Sequence, residues 1–155
     1  MKIALGSDHR GFEAKQLIKA IVTQMSHECI DFGTNDNSPV DYPDLAYLAA
    51  TAVSRKEADR AILVCATGLG MSIAANKVKG IRAVVCHDEL SAQISRDHND
   101  ANVLCISGDQ IGEVLLRKMV EVWLNTDFSG GRHQRRVNKI AAMERGEDPR
   151  NITNG

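Results

Sequence analysis

Five short apolar runs, each closed by small or polar residues, limit how this chain can fold. They are Lys2–Gly6, Glu28–Phe32, Arg60–Ala66, Arg82–Cys86 and Asn102–Ser107. Rich in Val and Ile and apolar almost without interruption, they read as strands of a parallel sheet covered on both faces. The longer stretches between them carry helical spacing. One has Phe12, Leu17, Ile18, Ile21, Val22 and Met25; another has Val114, Leu115, Met119, Val122 and Trp123; further helices fit at Asp44–Lys56, Gly70–Lys77 and Glu89–Asp97. After the breaker Phe128-Ser129-Gly130-Gly131 comes one more helical pattern, Arg132–Arg145. Strand–helix alternation of this kind implies a doubly wound, Rossmann-like α/β protein: a three-layer α/β/α sandwich on a five-stranded parallel sheet, with a C-terminal helix. Residues 1–145 are expected to form a single domain, and the polar residues 146–155 a loose tail.

Charge narrows the partners. Against 20 Asp+Glu stand 19 Lys+Arg, a net charge of −1, so no overall field draws the chain to nucleic acid or to a membrane surface. No apolar run approaches the roughly 20 residues of a membrane span, and the N-terminus turns polar at Ser7-Asp8, unlike a signal peptide. Cys29, Cys65, Cys86 and Cys105 form no CxxC pair, so neither zinc nor a thioredoxin-like redox motif is indicated. So few cysteines in a chain of this size point to a reducing compartment, the cytoplasm.

In an open α/β sheet, ligands bind beyond the carboxyl ends of the strands, where the strand order reverses. In a flavodoxin-like order the first and third strands flank that crevice. The segments leaving them are Ser7-Asp8-His9-Arg10-Gly11 and Cys65-Ala66-Thr67-Gly68-Leu69-Gly70-Met71-Ser72. Glycines let a backbone approach a ligand closely, and the N–H groups of a helix start attract anions. Cys65, facing such donors, is a candidate base or nucleophile; the alternative is an inert buried thiol. The turn is not a P-loop, because its nearest lysine, Lys77, lies well down the following helix. Gly68-Leu69-Gly70, with Asp88 about 20 residues on, imitates a dinucleotide fingerprint, but Ile73 stands where the third small residue belongs.

Asp8 and His9 are candidates to bind sugar hydroxyls or a phosphate; the competing reading is a helix cap and a solvated loop residue. Tyr42, stiffened by Pro43, either lines the crevice or packs within its loop. His98-Asn99-Asp100 follows a helix that runs back to the amino edge of the sheet, the wrong end for the crevice of its own chain. It is either a plain turn or part of a second subunit's site. His27, His87 and His133 carry no comparable context. Arg132 and Arg136 are i,i+4 neighbours whose like charges repel by roughly a few tenths of a kcal/mol. A phosphate between them would reverse the sign of that interaction; the alternative is a solvated basic face. No interleaved aromatics mark it as a nucleic-acid patch.

Taken in order, Gly6-Ser7-Asp8-His9-Arg10-Gly11-Phe12, Asp41-Tyr42-Pro43, the run from Cys65 to Lys77, Gly80-Ile81-Arg82-Ala83, His98-Asn99-Asp100-Ala101-Asn102-Val103 and the run from Gly130 to Val137 resemble the type B ribose-5-phosphate isomerases. That family also includes galactose-6-phosphate isomerase subunits. The resemblance covers about Met1 to Arg145 and implies interconversion of ribose 5-phosphate and ribulose 5-phosphate through an enediolate, with no metal and no organic cofactor. By matching motif, Cys65 would be the base that moves a proton between C1 and C2. Thr67 and the turn N–H groups from Gly68 to Ser72 would hold the enediolate oxygen, with Ala66, Gly68, Leu69, Gly70 and Ser72 binding the substrate. Asp8, His9 and Tyr42 would contact the sugar, and Arg132 and Arg136 the phosphate. His98 would help open the furanose ring, with Asn99 beside it.

The family works as a dimer with its site between subunits, which would carry His98 into the partner's site; whether dimers pair into tetramers stays open. Two departures stand out. Ala66 replaces a customary Gly, and Asp109 stands where many relatives carry a phosphate-binding Arg. Arg10 would then either pair with Asp109 or contact phosphate itself. Other phosphosugars, such as allose 6-phosphate, galactose 6-phosphate or a tetrose 4-phosphate, and a non-catalytic phosphosugar-binding module, are the competing readings.

Overall fold

The computed structural model describes residues 1–153. Its elements run β1 (Lys2–Ser7), α1 (Phe12–Gln24), β2 (Glu28–Asp31), α2 (Tyr42–Ser54), β3 (Arg60–Cys65), α3 (Leu69–Ala75), β4 (Ala83–Val85), α4 (Glu89–Asp97), β5 (Val103–Ser107), α5 (Glu113–Asn125) and α6 (Arg132–Glu144). All sheet pairings are parallel, in the order β2-β1-β3-β5-β4. The first three strands follow the flavodoxin-like order, and the last two are exchanged. The exchange suits the sequence. Every residue of β5 is buried, as a central strand requires, whereas β4 is three residues long and half-buried at Val84 and Val85, as an edge strand can be.

Residues alternate between two cores. Ile3, Leu5, Ile62, Val64, Leu104 and Ile106 face α1, α4 and α5, where Ile18, Leu116, Met119 and Trp123 meet them. Ala4, Ala61, Leu63, Cys65, Val103 and Cys105 face the alanine-rich α2 and α3. With both faces covered, nearly every strand position is apolar, which is why the runs look continuous in sequence. Helix α2 begins two residues before the apolar spacing suggested, with the extended Asp41 at its N-cap position and Pro43 fitting its first turn.

Two features fix the crevice end of the sheet. Gly11 lies against β3 so closely that a Cβ would sit 2.5 Å from the Val64 carbonyl oxygen. Lys15, 1% exposed, reaches back from α1 to Asp31 Oδ1 (2.5 Å) and the Thr34 carbonyl (2.7 Å). Those bonds compensate a buried ammonium and fasten the end of β2. Ser7 then clasps the same loop, its N–H donating to the Gly33 carbonyl and its carbonyl accepting from Thr34 N–H, each at 2.8 Å.

Helix α6 joins neither layer. Its first turn lies beside the C-terminal end of α4, and its last reaches the Gly80 turn, whose N–H donates to Glu144 Oε1 at 2.7 Å. Beyond it the polar tail makes a 3-10 turn, Pro149–Asn151, capped by Asp148; the last two tail residues, 154 and 155, lie outside the described residues. Among the described residues no helix is long and apolar enough to cross a membrane, and all four cysteines are free thiols.

Overpacking a β-carbon against backbone costs about 1–3 kcal/mol, so Gly11→Ala should lower unfolding free energy by that amount in urea titration. A loss below about 0.5 kcal/mol, the range of an unremarkable surface change, would contradict the close approach described.

Candidate active site

The strand order reverses between β1 and β3, and the loops that leave their carboxyl ends meet there. Cys65 ends β3 with 4% of its surface exposed, and its Sγ accepts the Gly68 N–H at 3.2 Å. Gly68 makes the return possible: its φ of +77° is left-handed, and a Cβ there would meet the backbone of Cys105 and Ile106 at 3.2–3.3 Å. Thr67 Oγ1 accepts the Leu69 N–H at 3.3 Å. The Ser72 N–H is spent on the Gly68 carbonyl (3.1 Å) and its hydroxyl on the Ala83 carbonyl (3.2 Å). Of the turn amides expected to face an oxyanion, those of Gly68, Leu69 and Ser72 are therefore engaged within the chain. Those of Gly70 and Met71 meet no acceptor among the described residues.

Three further candidates converge on this turn. Tyr42, at the start of α2, lays its ring on Gly70, where a Cβ would lie 2.7 Å from the ring carbons. Asp8 is 7% exposed and accepts the N–H groups of Arg10 and Gly11 on Oδ1 at 2.9 and 3.0 Å. It thus shapes its loop with one oxygen, and among the described residues no donor takes the other. His9 Nδ1 lies 3.4 Å from the Val40 N–H. Across the mouth, Arg10 Nη2 donates to Asp109 Oδ2 at 2.6 Å, and this hydrogen bond with its charge raises the guanidinium further above its ordinary value. The Asp109 loop is anchored on the thiol's own strand end. Gly108 N–H donates to the Cys65 carbonyl at 2.8 Å, and the Ser107 hydroxyl to the Ala66 carbonyl at 2.6 Å.

The remaining candidates gather at the opposite, amino edge of the sheet. A parallel strand rises about 3.3 Å per residue, so the length of β3 separates the two groups by about 20 Å. His98 caps α4 there, its Nε2 3.3 Å from Asp97 Oδ2. Its ring stacks on that of His133, centroids 4.1 Å apart and planes within 8°. Arg132 Nε approaches His133 Nε2 at 3.4 Å, and Ser129 Oγ donates to Asp97. Arg136 faces a basic groove shared with Arg135, Lys139 and Arg150. The turn after His98 is held firmly: Asp100 accepts from Arg82 at 2.8 Å and from Arg96 at 2.9 Å, while Arg82 Nε also donates to the Asn99 carbonyl at 3.1 Å.

His133 is the residue that sequence reasoning passed over. Its partner lies on α4, 35 positions earlier in the numbering, and no local spacing marks a stack between two helix ends.

The fold and the site together define a thiol-bearing α/β protein with a polar crevice at its strand switch. The family model of ribose/galactose isomerases matches residues 3–140, and the chain belongs to that family. It is 49% identical over 143 residues to ribose-5-phosphate isomerase B of Escherichia coli, covering 92% of this chain and 96% of that one. The solved ribose-5-phosphate isomerase B of Clostridium thermocellum superimposes with a TM-score of 0.93 at 49% identity, over 94% of this chain and 99% of that one. The enzyme from Mycoplasma genitalium, solved with bound ribulose-5-phosphate, gives 0.88 at 39% identity, over 93% and 96%.

Burial first, then the charges of His98, Arg132 and Arg136, hold the His133 imidazole below its ordinary value of 6.5. With the folded value depressed, the unfolded chain binds the proton first. The stability this gives is complete above pH 6.5 and is lost as pH falls through the folded value. The urea midpoint of the wild type should therefore drop on acidification across that window, and more steeply than that of His133→Phe, which keeps a ring for the stack. Equal slopes in the two proteins would show that His133 does not titrate as described.

Proposed function

We propose that this protein interconverts D-ribose 5-phosphate and D-ribulose 5-phosphate as an aldose–ketose isomerase, using side chains and backbone amides alone. The observation that carries the mechanism is Cys65: a thiol at the strand switch, its sulfur on an amide N–H, in a turn covered by Tyr42. In the open-chain aldose the Cys65 thiolate takes the proton from C2. The electron pair forms the C1–C2 double bond, and negative charge develops on O1. The same thiol then returns the proton to C1, while the O2 hydroxyl proton passes to O1 and leaves the ketone at C2. Charge on O1 needs preorganised donors, and one such donor is worth about 3–4 kcal/mol. The Gly70 and Met71 amides and the Thr67 hydroxyl are the groups assigned that task. Asp8, one of whose carboxylate oxygens meets no donor among the described residues, and His9 hold sugar hydroxyls.

The sugar also needs a ring-opening acid–base group and a phosphate anchor. His98 and the Arg132–Arg136 pair have that chemistry but lie about a strand length from Cys65 of the same chain. The reading therefore takes them, with Asn99, from a second copy, so that a homodimer completes each site. Residues 1–145 act as one catalytic domain, and the cytoplasm is the proposed compartment.

The test is isomerisation of ribose 5-phosphate by the wild type and by Cys65→Ala, with allose 6-phosphate and erythrose 4-phosphate alongside. The expected result is turnover of the pentose that falls by about 10²–10⁴-fold in the variant, the span typical of a lost general base. Turnover of another sugar alone would overturn the substrate. Undiminished turnover by Cys65→Ala would overturn the base, and phosphosugar binding without turnover would make the protein a binding module.

A further inference from the structure

The crevice has an unusual charge balance. The loops at the carboxyl edge of the sheet, residues 8–11, 32–41, 66–68, 86–88 and 108–112, contain a single Lys or Arg, Arg10, against Asp8, Asp36, Asp41, Asp88 and Asp109. A phosphosugar brings a dianion, and its phosphate sits on the carbon farthest from the reacting C1 and C2. The rim therefore needs a cation, and this chain offers one.

The placement of Arg10 suits the task. Its backbone is fixed by Asp8, which accepts the Arg10 and Gly11 N–H groups. Its loop touches the opposite one: a Cβ on Gly108 would lie 3.0 Å from the Arg10 carbonyl oxygen. From there the guanidinium crosses to Asp109, which it meets through Nη2 at 2.6 Å, its one side-chain bond among the described residues. The other donors of the fork remain for a second acceptor, and a phosphate can take two of them side by side. The loops do not need this pair to hold their shape, since Gly108, Ser107 and Gln110 already tie the Asp109 loop through backbone and hydroxyl bonds. An ion pair this exposed also adds little to stability.

We propose that Arg10 is a phosphate-binding residue of the substrate crevice and that Asp109 is a positioning residue that aims its guanidinium across the mouth. The proposal rests on the phosphosugar reading above and adds the group on this chain that meets the phosphate. Asp109 takes the cost of a carboxylate near an anion by neutralising half of a pair; when phosphate arrives it shares the guanidinium rather than facing the dianion alone.

The experiment measures binding of inorganic phosphate by calorimetry and KM for ribose 5-phosphate in the wild type, Arg10→Ala, Asp109→Ala and Asp109→Glu. Arg10→Ala should weaken phosphate and raise KM by about tenfold or more, the size of one lost charge-assisted contact, with a smaller change in kcat. Asp109→Ala should raise KM by a smaller factor, and Asp109→Glu should restore it. A guanidinium returned from the other side, Arg10→Ala with Asp109→Arg, should recover phosphate binding. Unchanged phosphate affinity in Arg10→Ala overturns the proposal, and an Asp109→Ala variant that binds phosphate like the wild type overturns the role of Asp109. Because calorimetry with phosphate requires no turnover, a protein that isomerises no sugar would refute the isomerase reading while still deciding whether Arg10 holds the anion.

Discussion

The five strands all run the same way, and most of what the site can do follows from that. Parallel strands deliver every βα loop to one edge of the sheet and every αβ return to the other. Asp8, His9, Arg10, Cys65, Thr67 and Asp109 leave strands and share the carboxyl edge; His98 and Asn99 return from α4 and occupy the amino edge. No repacking within one chain brings these groups together, because the buried strands stand between them. A chemistry that needs both sets requires two copies of the chain, and α6, which lies outside both helical layers, carries the arginines at the amino edge.

Within the crevice, small residues do the placing. Gly11 lets the first loop lie on β3, Gly68 turns the backbone so that its own amide reaches Cys65, and Gly70 makes room for the Tyr42 ring. Each is a close approach that a single methyl group would obstruct. The thiol is thereby held at the end of a rigid, fully buried strand with amides in front of it, an arrangement suited to moving a proton on a carbon next to a carbonyl. At the rim the charges are arranged as a pair, Arg10 with Asp109, instead of as a lone cation.

Sequence reading reached the layers, the five strands and the Cys65 turn because each is a local pattern: a continuous apolar run, a helical period, a glycine-rich exit. It also placed His98 at the wrong edge for its own chain, since helix direction follows from alternation alone. What it missed depends on contacts between distant segments. The exchange of β4 and β5 is set by which strand can be buried on both sides, and only the pairing reveals it. Lys15 reads as a polar interruption of an apolar helix face, yet it is buried because Asp31 and Thr34 receive it. The His98–His133 stack joins two helix ends with no spacing rule between them. Of the two roles left open for Arg10, pairing with Asp109 is what the structure displays.

The central claim, that each site draws Cys65 from one copy and His98 from another, has a direct measurement: mixing Cys65→Ala with His98→Ala after subunit exchange. If the site is shared, random pairing makes half of the dimers mixed, and each mixed dimer holds one intact site. Activity should then rise from near nothing in either variant alone to about a quarter of the wild-type value. If the mixture stays as inactive as its parents after exchange is verified, the two residues serve the same copy, and the account of a site split by the parallel sheet is wrong.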